Sequence, residues 1–224
     1  GTDDDLSHDR VTAIRFGTSM NRCKVGCIGI DLEFSRGIDI ASRSLGDVGS
    51  GTPLSRASGK NNFSHFKLDT NYVINPTEDI QFKIHTGGQL ALDDLLNSEQ
   101  SGITGYDKLS GFTSGSISGD ENWYVRAQLN KNYKLNKNLR VSPYVYGAAG
   151  VAYTLTPTAA ENRATATKSI GLGLQIDGMD KYFFDKSISA KAEYSKNWAT
   201  GVLEDVSDVR LNKQHLLVSL AMTF

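Results

Sequence analysis

The chain has no run of about 18 apolar residues, which excludes a transmembrane helix but leaves a transmembrane β-barrel open, because a barrel's signal is weak per segment. Neither sign of charge is in excess, with 24 Lys and Arg against 25 Asp and Glu. No strong field therefore favours nucleic acid or an acidic partner. Only two cysteines occur, Cys23 and Cys27, without a matching pair or His cluster, so a metal site is disfavoured. A local disulfide formed in an oxidising periplasm and two free thiols both remain open. The four histidines are scattered at 8, 65, 85 and 215. His65 and His85 are expected at the outer ends of neighbouring strands, but no nucleophile stands at a recognisable spacing, so no enzyme is read here. Phosphate-cradling motifs are lacking too. Gly171-Leu172-Gly173-Leu174 reads as strand glycines, and no cofactor is expected. The acidic start Gly1-Thr2-Asp3-Asp4-Asp5 lacks the basic and apolar stretches of a signal peptide, so a mature, trimmed or partial chain is expected.

What is present is period-two alternation. With 22 Gly and 4 Pro, the sequence reads as an all-β meander of about nine long strands. The first, near 10–19, sets Ile14 and Phe16 against Arg15, and the second, near 25–35, sets Ile28, Ile30, Leu32 and Phe34 against Asp31 and Glu33. The third, near 63–74, opposes Phe66, Leu68 and Tyr72 to Lys67, Asp69 and Asn71, and after Asn75–Asp79 the fourth opposes Ile80, Phe82 and Ile84 to Lys83 and His85. Alternation fades over 86–120 and resumes with Trp123, Val125 and Leu129 opposite Arg126 and Gln128. Three strands follow, carrying Leu139 to Tyr153, Ile170 to Ile176 and Ile188 to Tyr194 on one face, with Lys191 and Glu193 on the other. The chain ends in a strand that points Leu216, Val218, Leu220, Met222 and Phe224 outward and Ser219, Ala221 and Thr223 inward.

Several features favour an antiparallel transmembrane β-barrel over a soluble sandwich. The strands approach or exceed ten residues, Trp123, Tyr133, Tyr153, Tyr194 and Trp198 are expected at strand ends, and carboxylates at alternate positions need water on one face. Short turns at 75–79, 133–138 and 177–186 alternate with longer connections at 36–60, 86–120, 155–165 and 199–209, as periplasmic turns alternate with outer loops. The 36–60 stretch reads as too polar to form a core. An odd number of strands cannot close by antiparallel pairing, so 1–224 is expected to be one partial barrel domain, the C-terminal part of a larger barrel of roughly sixteen strands.

The long loop carries a resemblance. Gly88-Gln89-Leu90-Ala91-Leu92-Asp93-Asp94-Leu95-Leu96, then Ile103-Thr104-Gly105-Tyr106, Leu109-Ser110-Gly111-Phe112 and Ser118-Gly119-Asp120 resemble the inward-folded loop of two-partner-secretion transporters, the TpsB class that includes the ShlB/FhaC/HecB-like haemolysin activation and secretion proteins. The likeness is specific over 88–129 and weaker elsewhere. It implies an outer-membrane pore that exports a large haemolysin- or adhesin-type exoprotein from periplasm to cell surface, driven by folding of the client outside. It also implies that 86–120 folds into the lumen. The family's tip arginine falls at Ser110 and its wall aspartate at Ala148, in Tyr146-Gly147-Ala148-Ala149-Gly150. Both halves of that ion pair are absent, and losing both avoids stranding one buried charge.

From the resemblance, the tip Leu109, Ser110, Gly111 and Phe112 is expected to dock on a wall formed by Tyr144, Tyr146, Ala148 and Gly150. Phe112 packing and a Ser110 hydrogen bond to backbone, Tyr144 or Tyr146 would hold a looser plug. Asp69, Lys83, Arg126, Gln128, Lys191 and Glu193 are expected to line the lumen with mixed charge, over which an extended chain slides. Phe224 resembles the signal read by the barrel-assembly machinery. Client, outer-membrane lipids and that machinery are the implied partners. The family's periplasmic POTRA domains have no counterpart here. A passive porin without a dedicated client is the competing reading.

Overall fold

The computed structural model describes residues 7–40, 53–136, 138–158, 161–180, 186–201 and 214–223. The described residues form twelve strands: β1 (Thr12–Cys23), β2 (Cys27–Ile38), β3 (Ser64–Ile74), β4 (Ile80–Ala91), β5 (Ser101–Gly102), β6 (Ser118–Gly119), β7 (Glu121–Lys131), β8 (Tyr133–Asn136), β9 (Leu139–Tyr153), β10 (Ala164–Asp180), β11 (Lys186–Thr200) and β12 (Gln214–Thr223). Among the described residues there is no helix. Nine long strands pair antiparallel in chain order, β1-β2-β3-β4-β7-β9-β10-β11-β12, with β8 laid on β9, while β5 and β6 form a separate two-stranded hairpin. With nine strands in meander order, β1 and β12 run the same way, and among the described residues they do not pair.

The reason this sheet forms is visible in its outward rows. Phe16, Phe34, Phe66 and Leu90 are successive register partners across β1 to β4, and the Phe34 and Phe66 rings lie 4.8 Å apart. Leu129, Val145, Leu172, Tyr194 and Leu216 continue the same kind of row from β7 to β12. Most of these side chains are exposed, Leu172 by 60% and Leu216 by 66%. Apolar rows on this scale, repeated across every long strand, suit hydrocarbon rather than water. From β7 to β11 the inward face is the buried one, and it mixes polar side chains with an apolar cluster.

Length distinguishes the connections. Residues 24–26 and 75–79 make short turns at one rim, where the short strand β8 stands in place of the turn expected at 133–138, and 92–120 makes a long connection at the other. Cys23 and Cys27 are register partners joined by a disulfide that closes the first short turn, so the thiol alternative is discarded.

Four expectations need correction. The fourth strand does not fade at 86 but continues to Ala91; Gly87 and Gly88 carry no side chains to mark its alternation, and a Cβ on Gly88 would fall on the Asn122 carbonyl oxygen. Strands β10 and β11 likewise reach Asp180 and Lys186, shortening the expected 177–186 turn. His85 pairs with Asn71 and His65 with Ala91, so the two are six residues apart along the wall and only His65 sits at the long-loop rim. Tyr194 is also well inside β11, whereas Trp123, Tyr153 and Trp198 lie near that rim as expected. Phe224 falls outside the described residues.

A loop plug and its seat as the candidate functional site

Between β4 and β7 the chain turns back onto the inward face of its own sheet. The segment from Ser101 to Gly119 is pinched at its neck by the β5-β6 hairpin and carries its own apolar side chains. Ile103, Leu109, Phe112 and Ile117 are all buried, in one cluster with Tyr124, Tyr144, Tyr146, Ala148 and Ala152 of the wall. Each such side chain contributes about 1.5–3 kcal/mol relative to exposure in water. The wall makes room by being small: a Cβ on Gly150 would crowd the Ile103 and Leu109 methyls at 3.1 and 3.2 Å. Gly171 and Gly173 serve the same end, since a Cβ at either would fall on the Tyr146 or Tyr144 ring. The expected tip and seat residues are thus brought together.

The tip is held polar group by polar group. Ser110 donates its hydroxyl hydrogen to Glu193 Oε1, accepts from Arg126 Nη1 at 2.5 Å and lies 3.2 Å from the Tyr146 hydroxyl. The expected contact to Tyr146 is therefore present, while Tyr144 donates instead to Glu193 Oε2 at 2.8 Å. Asn197 Nδ2 donates to the Gly111 carbonyl oxygen at 2.5 Å, and a Cβ on Gly111 would fall on that carboxamide. Tyr106 offers its ring face to Lys191 Nζ at 3.9 Å, and His85 Nδ1 meets the Asp107 carbonyl oxygen at 2.7 Å.

The wall charges are not the free lumen lining that alternation suggested. Arg126 Nη2 and Glu193 Oε2 form a buried ion pair at 2.8 Å, joined by Lys191 Nζ at 3.4 Å. Gln128 Oε1 accepts from Arg126, whose guanidinium also lies 3.6 Å over the Tyr146 ring. Asp69 accepts from the Tyr124 hydroxyl at 2.6 Å and meets His85 Nε2 at 2.9 Å. These side chains face inward, but alternation carries no sign of their pairing with each other, because partners on β7 and β11 are 67 residues apart. Lys83 lies toward the short-turn rim, in a cavity of about 390 Å³ that it shares with Asn71, His85, Gln128, Gln175 and Lys191.

At the long-loop rim a second set fixes the neck of the plug. Asp120, fully buried, pairs with Arg56 at 2.6 Å and accepts from the Leu95 and Leu155 amides at 3.0 and 2.9 Å. Gln89 Nε2 donates to the Asp120 and Glu99 carbonyl oxygens, and the Glu99 carboxylate receives Arg15 at 2.9 Å and meets His65 at 3.3 Å. Burial alone would raise the Glu99 pKa, but hydrogen bonds from His65 and Arg15 and the Arg15 charge outweigh it and hold the carboxyl below its ordinary range. Periodicity marked Arg15 and placed His65 at a strand end, but not Arg56, Glu99 and Asp120, which lie in loops, nor Gln89 near the end of β4. Arg56 and Leu54 come from the stretch expected to be too polar for a core, yet both are buried. Asp120 was visible within the Ser-Gly-Asp return, without a role.

No curated protein sequence matches this chain. Among solved structures, CdiB from Escherichia coli matches with a TM-score of 0.66 at 15% identity, over 93% of this chain and 36% of that one. Such identity speaks for the fold alone, and the chain spans little more than a third of CdiB's length. The model of the haemolysin secretion/activation protein family ShlB/FhaC/HecB matches residues 2–175. The outward apolar rows, the two unequal rims and the inward-folded segment accord with that match: the chain belongs to the ShlB/FhaC/HecB family, the outer-membrane β-barrel proteins of two-partner secretion in Gram-negative bacteria.

Proposed function

We propose that this chain forms the plugged part of an outer-membrane pore through which a large exoprotein of the haemolysin or adhesin kind passes from periplasm to cell surface. The observation that carries the reading is the 101–119 segment, buried against the inward wall by its own apolar core and fastened at neck and tip. A channel wide enough for an extended chain must be stopped between clients, and a stopper with its own core closes it without unfolding. Leu109, Ser110, Gly111 and Phe112 are the stopper's tip; Tyr144, Tyr146, Ala148 and Gly150 are its seat. Lys83 and Asp69 face the space a client enters from the short-turn side, and Arg126, Gln128, Lys191 and Glu193 become its wall once the tip leaves. Hydrocarbon surrounds the outward rows, and the barrel-assembly machinery inserts the sheet, with Phe224 as its signal. No nucleotide or nucleic acid takes part.

The full-length protein, expressed with a candidate exoprotein of the haemolysin or adhesin kind, provides the test. The expected result is client in the medium only when this protein is present, and raised uptake of bulky antibiotics after removal of residues 103–117. Solute flux with no effect on any exoprotein would instead identify a passive porin.

A further inference from the structure

The tip and its seat divide their charges unevenly. Ser110 is neutral, and the groups that hold it, Arg126 and Glu193, are already paired with each other at 2.8 Å. Tyr144 and Lys191 complete the Glu193 carboxylate from the wall side, and Gln128 completes the guanidinium. The tip's own charges, Asp107 and Lys108, make no ion pair with the wall among the described residues; Lys108 Nζ donates to the Gly102 carbonyl oxygen of its own segment at 2.7 Å. What would break on departure of the tip is therefore neutral on one side of every bond: on the tip, the Ser110 hydroxyl, the Gly111, Asp107 and Lys108 carbonyls and the Tyr106 ring, and on the wall, the Tyr124 ring that lies 4.8 Å from Lys108 Nζ.

We infer that Arg126 and Glu193 act as positioning residues, a self-paired clamp that orients the plug tip through Ser110 and stays closed on itself when the tip leaves. Undocking then strands no ion in the lumen. A tip that brought one partner of a buried ion pair would leave an uncompensated charge behind, which is the expensive way to break such a pair. Here the Arg126–Glu193 pair is complete with or without its plug, while Asp107 and Lys108 of the tip act on Lys83, Lys191 and Asp69 at longer range without an ion pair among the described residues. The plug's retention is set by apolar burial and by hydrogen bonds charged on the wall side alone, so its release depends only weakly on ionic strength.

The inference rests on the reading of this segment as a plug, but its test needs no client. The full-length protein is recorded in planar bilayers. Plug departures are identified first with the Gly111→Cys/Asn197→Cys pair, whose cross-link should abolish openings and whose reduction should restore them. For the unaltered protein, opening frequency is expected to change less than about two-fold as salt rises from about 0.1 to 1 M, across which the screening length falls from about 10 to 3 Å. Ser110→Ala, which removes the hydroxyl and leaves the wall pair intact, should open several-fold more often with the same flat salt dependence. Ser110→Arg, which sets a second guanidinium against Arg126, should open more often still. Openings that survive the cross-link, a steep rise with salt, an unchanged Ser110→Ala, or a pore quieted by Ser110→Arg would each overturn the clamp. Failure of client secretion with these recordings intact would strike the export reading alone.

Discussion

At Gly111 the plug passes so close to β11 that no side chain fits, since the first carbon would occupy the place of the Asn197 carboxamide. Gly111→Val should lift the tip from its seat and raise resting conductance, while the outward rows keep the barrel inserted. Leu109 sets the complementary case: it is fully buried between plug and wall, and Leu109→Ala should weaken docking by about 2–5 kcal/mol, read as faster amide exchange across 103–117. Glu99 gives the neck a pH signature. Its folded pKa is lowered, so its contacts with Arg15 and His65 are fully present above the ordinary carboxylate range and are lost only as pH falls through the lowered value. Amide exchange at 99–102 should stay slow through mild acid and rise in stronger acid, and Glu99→Gln should remove that step. Which residues face inward was legible in the sequence, because a strand's period is two. That Asp120 and Arg56 meet was not, since nothing local marks a contact between loops 64 residues apart.

The hairpin of β1 and β2 shows how an element can be secured without touching the site. Its disulfide encloses only the three residues between Cys23 and Cys27, so the chain-entropy saving is about 2 kcal/mol. Cys23→Ser/Cys27→Ser should therefore lower the midpoint of heat-induced unfolding in detergent slightly and leave plug gating unchanged. The pairing itself could not be read from a spacing of four, which suits a turn staple and two independent thiols alike. Strand β4 marks the other limit of legibility. Its first half alternates plainly, but two glycines hide the second half, although Gln89 still points inward and Leu90 outward. The plug is a harder case, because its order comes from the wall beneath it and not from any repeat of its own.

Across the whole molecule the outward rows make the membrane the decisive solvent. Leu172 lies at the centre of β10 between Val145 and Tyr194, and Leu172→Lys should cost about 2–4 kcal/mol at mid-bilayer, measured as reduced folding into lipid vesicles. A charge at Ser219, on the opposite face of β12, should be tolerated by comparison. The nine-strand order and its alternation were legible because lipid and water sort side chains without reference to distant partners. The outward set falls on even positions in β1 to β4, on odd positions in β7 and β9, and on even positions again from β10 onward. Both changes of parity fall in connections on the same rim, 92–120 and 154–163. Gain or loss of one residue there shifts nothing that faces oil, whereas deletion of Ala149 from the middle of β9 would reverse every side chain on one side of it. In the descent of such a chain, drift in length has a permitted edge and a forbidden interior.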